Sequence, residues 1–433
     1  MPIAEPSTAL LTDQYELTML QAALRSGAAD RRCVFEVFTR RLPEGRRYGV
    51  VAGTGRLLDA IESFRFEDQA LAYLAETDVV DAVTLEWLHQ FRFSGSVSGY
   101  AEGEVFFAGS PVLVVESSFG EAVLLETLVL SVLNHDCAVA AAASRMTSAA
   151  GTRPCIEMGS RRTHEQAAVA AARAAYVAGF TATSNLQAGQ RYGVPTTGTS
   201  AHAFTLVHDD ERSAFAAQVA SLGVGTTLLV DTYDVPAAVR AAVEVAGTGL
   251  GAVRLDSGDL LTQARQVRHQ LDALGAHSTR IIVTSDLDEH AIAALAAAPV
   301  DGYGVGTSVV TGSGAPAAGL VYKLVAREDA HGALVGVAKR SVDKVGVAGR
   351  KWARRDRDAH GVAQAELIGT GPPPPDVGTD RPLLTELVVD GSVVKRESLK
   401  TARDRHRRSL AELPPAARQL SRGEAVIPTV YRT

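Results

Sequence analysis

The sequence predicts an α/β protein centred on a parallel (β/α) barrel, and three observations carry that prediction. Between Cys155 and about Val325, short apolar runs alternate with alanine-rich stretches of helical pattern. Each apolar run ends in a polar residue, near Glu157, Asn185, His202, Asp231, Asp256, Asp286 and Gly306. Successive units of roughly 17 to 29 residues suit one strand and one helix apiece, with ligands gathered where the strands end.

The segments before and after this rhythm read differently. Residues 12–28 have a helical pattern, and 33–39 alternate with period two, as a half-buried strand does. A basic turn follows over 40–47. Residues 93–119 hold short β-branched and aromatic runs broken by glycine and serine, with Gly109-Ser110-Pro111 as a turn. The alanine- and leucine-rich run 121–149 predicts a long helix or a helix pair. Within the repeating region, helices are expected over 165–177, 235–245, 260–274 and 288–297. Beyond it come a basic segment at 339–355, a surface connection at Gly371 to Pro375 and a charged helix over 397–413. The expected domains are therefore 1–150, an α/β region with a β-rich block; 151–345, the barrel; and 346–433, a C-terminal segment.

Composition narrows the function classes. The chain has 433 residues, 46% hydrophobic and 21% charged, which suits a folded protein with a large interior and not a disordered one. Its net charge of −6 argues against a general nucleic-acid surface, which needs a basic excess to displace counterions. Three cysteines without CxxC spacing indicate neither a disulfide framework nor a zinc site. The first residues lack a secretory pattern, and no apolar stretch of about 18 residues stands out, so a cytoplasmic protein without a membrane partner is expected.

The chemistry-bearing residues cluster at the predicted strand ends. Thr196-Thr197-Gly198-Thr199-Ser200-Ala201-His202 offers small side chains that leave room for a ligand and one histidine able to act as base, metal ligand or nucleophile. Asp231, Asp256 and Asp286 come from three further strand ends. Aspartates so placed can bind Mg²⁺ through water, hold ribose hydroxyls or orient the histidine. Arg254 precedes Asp256 by two positions and so shares its face of the strand. The glycines of Asp301 to Ser308 allow backbone N–H groups to turn toward one anion, and Arg161 with Arg162 can clamp another. Asp288 reads as a helix cap, and the basic run 395–408 as a solvated helix face.

In their order along the chain, these segments resemble the nicotinate phosphoribosyltransferases. The resemblance rests on Leu11 to Met19 (LTDQYELTM), Gly159 to Arg162, Thr183 to Asn185, Gly198 to His202, Arg254 to Gly258 and Gly304 to Thr307. It implies the type II phosphoribosyltransferase fold, an irregular barrel flanked by an α/β domain to which the C-terminal segment returns. It also implies a homodimer with shared active sites. The implied reaction joins nicotinate to phosphoribosyl pyrophosphate, giving nicotinate mononucleotide and pyrophosphate, with ATP hydrolysed through a phosphohistidine at His202. On that pattern Tyr15 stacks on the pyridine ring from the partner subunit, and Thr199 and Arg254 hold the carboxylate. Arg161 lies by the ring and the pyrophosphate. Asp231 and Asp256 orient His202 and the Mg²⁺-diphosphate, with Mg²⁺ carried mainly by the diphosphate. Asp286 takes the ribose hydroxyls, and Gly304, Gly306 and Thr307 take the 5-phosphate. Met158 stands where many relatives have an aromatic, and a thioether can pack against a ring in its place.

Three alternatives compete with this reading. A nicotinamide phosphoribosyltransferase shares the fold and the histidine, but the resemblance places an acid where this chain has Asn185; a carboxylate would repel nicotinate, whereas Asn can donate to it. Quinolinate, with a second ring carboxylate, would call for more cations. A non-catalytic nucleotide-binding relative would be expected to have lost the histidine, the aspartates and the arginines that remain here.

Overall fold

A computed structural model describes residues 7–339, 347–375 and 378–432. The expected boundary at 345/346, part of the basic segment 339–355 and the first six residues lie outside the described residues. The chain divides into two compact units, one of 1–138 with 317–433 and one of 139–316.

The second unit is built on six parallel strands. Their order is Ala182–Thr183, Cys155–Glu157, Gly302–Val305, Arg280–Val283, Ala252–Leu255 and Thr227–Leu229. The first strand in sequence pairs with the last, as barrel closure requires, while the ladder is open between the second and third. The helices Glu165–Val177, Val235–Ala246 and Leu260–Ala273 fall where the repeating pattern put them. Their starts are capped by side chains, as with Asp234 accepting from the Ala237 amide and Asp259 from the Thr262 amide.

A strand ending at His202 was expected, but residues 196–201 make only one bridge, Thr196 to Thr183. Small hydroxylated residues and a glycine have little apolar surface to bury, so the segment lies unladdered in the open stretch of the sheet and His202 begins the short helix His202–Leu206.

The first unit holds a seven-stranded sheet, antiparallel throughout its described ladders. Its order is Leu334–Gly336, Leu320–Glu328, Arg32–Thr39, Leu113–Ser118, Ser96–Tyr100, Leu384–Val389 and Ser392–Val393. The helix expected at 12–28 spans Gln14–Ser26 and ends at Gly27, whose φ of 72° turns its amide back onto the Leu24 and Ala23 carbonyls. The run expected at 121–149 is a pair, Phe119–Val123 and Glu126–Ala150. The longer helix has the length and apolarity to cross a membrane, yet 72% of its most apolar window is buried within the protein, so that surface is spent on the core.

The units differ from the expected limits of 151–345. Leu320–Glu328 runs antiparallel to Arg32–Thr39, from Cys33 opposite Arg327 to Thr39 opposite Leu320, and so belongs with the N-terminal strands. Periodicity identifies a strand but not the sheet it joins. Buried charges also tie the C-terminal segment to those strands. Fully buried Arg355 donates to Glu366 and to the Val105 carbonyl, both at 2.9 Å, and Tyr100 donates its hydroxyl to the other Glu366 oxygen at 2.7 Å. Lys351 pairs with Glu36 at 2.7 Å, with both side chains almost wholly enclosed. Such pairs fix register more than they add net stability.

Candidate active site

Two cavities adjoin at the carboxyl ends of the parallel strands. One, of about 230 Å³, is lined by Arg161, Arg162, Arg254, Asp256, Ser285, Asp286, Gly304, Gly306 and Thr307. The other, of about 360 Å³, has Ile156, Met158 and Ile282 as apolar walls and Ser160, Thr197, Thr199 and Ser200 as hydroxyl donors. Met158, Arg161 and Arg254 border both. A polar chamber lined by arginines and glycines therefore meets a larger, partly apolar one at two guanidinium groups.

Arg254 comes from the strand Ala252–Leu255. Its neighbours Val253 and Leu255 are buried, and strand alternation turns the guanidinium to the opposite face. Its enclosed Nε meets no hydrogen-bond acceptor among the described residues. Burial lowers its pKa from the ordinary value and Arg161 pushes the same way, while Asp256 and Asp231 hold the charge in place. A buried cation with an open donor at the mouth of a cavity is suited to an anionic group of a ligand.

The histidine and the aspartates form a connected array. His202 Nε2 lies 3.3 Å from Asp231 Oδ1; the imidazole is about one-third exposed and the carboxylate 2%. Asp231 Oδ2 accepts from the Asp256 amide at 2.9 Å and from the Ser257 hydroxyl at 2.6 Å. Thr284 donates to Asp256 Oδ1. With both its oxygens engaged, Asp231 is held to orient the imidazole, and no group of three or more His, Cys, Asp or Glu able to hold a metal occurs among the described residues.

The remaining candidates fall in different places. Asp286, Gly304, Gly306 and Thr307 line the polar cavity, and Thr199 the other. Gly304 admits no side chain, because a Cβ there would lie 2.5 Å from Thr284 Cγ2 and 2.8 Å from Met158 Sδ. Asn185 lines neither cavity. Its Oδ1 accepts from the Ala188 amide, capping the helix Leu186–Tyr192, and its Nδ2 donates at 3.0 Å to Ser160, which does line the apolar cavity. Tyr15 belongs to the first unit, where it is 45% exposed and burial with nearby Glu126 pushes its hydroxyl up to about 12. In the basic turn, Arg47 donates to the Ser421 hydroxyl at 3.2 Å and is held by the C-terminal segment.

Sequence reading gave no role to Ser257, Thr284 or Ser285, and marked Glu157 only as a strand end. Ser257 follows Asp256 but donates to Asp231, and Thr284 precedes Asp286 by two but donates to Asp256, so a search for hydroxyls beside strand-end acids would have found the residues but not the acids they bind. Ser285, with φ of 133°, holds a backbone conformation few residues adopt and carries the turn from Thr284 to Asp286. Fully buried Glu157 accepts from Thr183 and the Gly159 amide, tying the turn that bears Met158 and Arg161 to the next strand. Burial pushes the Glu157 carboxyl up, against the pull of those two bonds.

Comparison with known proteins agrees with this geometry. Residues 10–134 match the sequence profile of the nicotinate phosphoribosyltransferase (NAPRTase) N-terminal domain. Nicotinate phosphoribosyltransferase pncB1 of Mycobacterium tuberculosis is 57% identical over 99% of this chain and 96% of its own length. The nicotinate phosphoribosyltransferase of Bacillus subtilis is 39% identical over 81% of this chain and 74% of its own. The crystal structure of human nicotinic acid phosphoribosyltransferase superimposes with a TM-score of 0.83 at 26% identity, covering 97% of each chain. On that identity and that shared architecture, the chain belongs to the nicotinate phosphoribosyltransferase family.

Proposed function

We propose that this enzyme forms nicotinate mononucleotide and pyrophosphate from nicotinate and phosphoribosyl pyrophosphate, in the making of NAD, with ATP hydrolysed through a phosphohistidine at His202. The observation that carries the substrate assignment is Arg254, a buried guanidinium with an unpartnered Nε where the two cavities meet. The pyridine ring fits the cavity walled by Ile156, Met158 and Ile282, with its carboxylate on Arg254 and the Thr199 hydroxyl. The phosphoribosyl group fits the polar cavity, its ribose hydroxyls on Asp286 and its 5-phosphate against the bare backbone of Gly304 and Gly306 beside Thr307. The ring nitrogen then attacks the anomeric carbon, the new N–C bond forms as the C–O bond breaks, and the electron pair leaves with the diphosphate. Mg²⁺ arrives on that diphosphate and offsets its charge, and Arg161 stands beside the departing group.

Asn185 bears on the choice between acid and amide through Ser160, whose hydroxyl it orients toward the ring cavity. The test is a substrate panel: purified protein with phosphoribosyl pyrophosphate, Mg²⁺ and, in turn, nicotinate, nicotinamide and quinolinate. Pyrophosphate release is expected with nicotinate alone. Release with nicotinamide at equal efficiency would overturn the Arg254 assignment, and no release with any of the three would favour a nucleotide-binding role.

We further propose a cytoplasmic homodimer in which Tyr15 of each subunit completes the other's ring cavity. Support comes from the exposed position of this tyrosine in the unit that does not carry the cavities. Mixing Tyr15→Ala with His202→Ala subunits is expected to restore part of the activity that each variant lacks, because one hybrid site then holds both residues. Exchange of subunits without recovery would show a site built within one chain.

A further inference from the structure

The hydroxyls that border the cavity walled by Ile156, Met158 and Ile282 are not equivalent. Among the described residues, Ser184, Thr197, Thr199 and Ser200 make no side-chain hydrogen bond, so each can turn to donate or to accept. Ser160 differs, because its Oγ accepts from Asn185 Nδ2 at 3.0 Å. The direction of that bond is fixed from behind. Asn185 Oδ1 takes the Ala188 amide hydrogen at 2.9 Å at the start of the helix Leu186–Tyr192, and a backbone N–H can only donate. The Asn185 side chain therefore cannot flip, and its nitrogen is the atom that meets Ser160.

A second set of bonds holds Ser160 and Asn185 in register. Glu157 is fully buried; one of its oxygens accepts from the amide of Gly159, next to Ser160, and the other from the hydroxyl of Thr183, itself fully buried. Thr183 Oγ1 in turn accepts from the Asn185 amide at 2.9 Å. Glu157, Thr183, Asn185, Ser160 and Gly159 thus close a circuit across the ends of two parallel strands whose ladder sets Glu157 opposite Thr183. Of these residues only Ser160 lines a cavity. The circuit is built behind the wall, and its one exposed product is the direction of a hydroxyl.

We propose that Ser160 is a specificity-determining residue that presents its hydroxyl hydrogen to the substituent of the pyridine ring, and that Asn185 is the positioning residue that makes it a donor. The proposal rests on the reading of nicotinate as the substrate. With an N–H of Asn185 aimed at Oγ, the hydroxyl hydrogen is kept off that side and is left for the cavity. A carboxylate accepts at either oxygen, so with one oxygen on Arg254 the other still takes the Ser160 hydrogen in a charge-assisted bond. A carboxamide has one acceptor oxygen. Once that oxygen is on Arg254, its NH2 meets Ser160 donor to donor, and a polar hydrogen goes unpaired.

The test compares Ser160→Ala, Asn185→Ser and the double variant by the KM for nicotinate and by the Ki of nicotinamide as its competitor. Asn185→Ser keeps a side chain that caps the helix and loses the nitrogen that reaches Ser160. Ser160→Ala is expected to lower the ratio of nicotinamide Ki to nicotinate KM about tenfold, as loss of one hydrogen bond to a charged group implies. Asn185→Ser should lower the ratio by less, and should lower it no further when Ser160 is already alanine. An unchanged ratio in Ser160→Ala would overturn the proposal. So would an Asn185→Ser effect that persists at full size in the Ser160→Ala background, since Asn185 would then act by a route that does not pass through Ser160. Turnover of nicotinate by the unmodified chain, with the ratio unmoved in every variant, would remove the Ser160 assignment and leave the phosphoribosyl transfer standing; no turnover of nicotinate by the unmodified chain would remove both.

Discussion

Arg254→Ala is expected to raise the KM for nicotinate by about 10- to 150-fold, the equivalent of about 1.5–3 kcal/mol for a charge-assisted hydrogen bond, while changing the KM for phosphoribosyl pyrophosphate much less. The asymmetry follows from what else lines each cavity. On the polar side, Arg161, Arg162, Thr307 and the glycine backbone remain to hold phosphates. On the ring side, Arg161 is the only other cation among the lining residues, and hydroxyls make up the rest of the polar set. Arg254→Lys should recover only part of the loss, because an ammonium is a point charge and cannot present the planar fork that a carboxylate accepts from guanidinium. Steady-state kinetics with each substrate varied in turn would decide the matter, and an unchanged KM for nicotinate would remove Arg254 from the carboxylate.

How much of this site could be read beforehand depended on whether the signal was local. The parallel strands were legible because each is a short apolar run that ends in a polar residue, as in Val253-Arg254-Leu255-Asp256, and that pattern lies within a few positions. The pairing of Leu320–Glu328 with Arg32–Thr39 was not legible, since nothing in either strand names a partner so far away in sequence. The segment before His202 misled for a related reason: its position in the rhythm called for a strand, but its small side chains could not supply the apolar face that a strand needs. Asp231, Asp256, Asp286 and Arg254 stood out as charged residues at strand ends. Their partners did not, because Ser257 and Thr284 are common turn residues whose hydroxyls gain meaning only once the strands are side by side.

His202→Ala is expected to abolish both the γ-phosphate label and the stimulation by ATP, while leaving a slow, ATP-independent transfer. Formation of nicotinate mononucleotide needs no ATP for its own bond changes, because the diphosphate is already an activated leaving group, so the coupling proposed above has ATP act on the protein. The imidazole is held in place: its Nε2 is 3.3 Å from a carboxylate that is itself fixed by the Asp256 amide and the Ser257 hydroxyl. About one-third of the ring stays open to an incoming nucleotide. On the proposed mechanism the imidazole nitrogen would take the γ-phosphoryl group as ADP leaves, and water would later cleave the N–P bond and release phosphate. The added dianion would stand beside Asp231, where it could reorganise the site around the incoming Mg²⁺-diphosphate. Hydrolysis after turnover would remove that charge and loosen the site, which would pull the balance toward the nucleotide. The residues that line the two cavities come from other strands and remain in His202→Ala, hence the residual transfer. Protein incubated with γ-labelled ATP, digested and mapped should carry an acid-labile, base-stable label on His202. Full ATP stimulation in His202→Ala, or a label on Asp231 or Asp256, would rule out the phosphohistidine and leave the phosphoribosyl transfer intact.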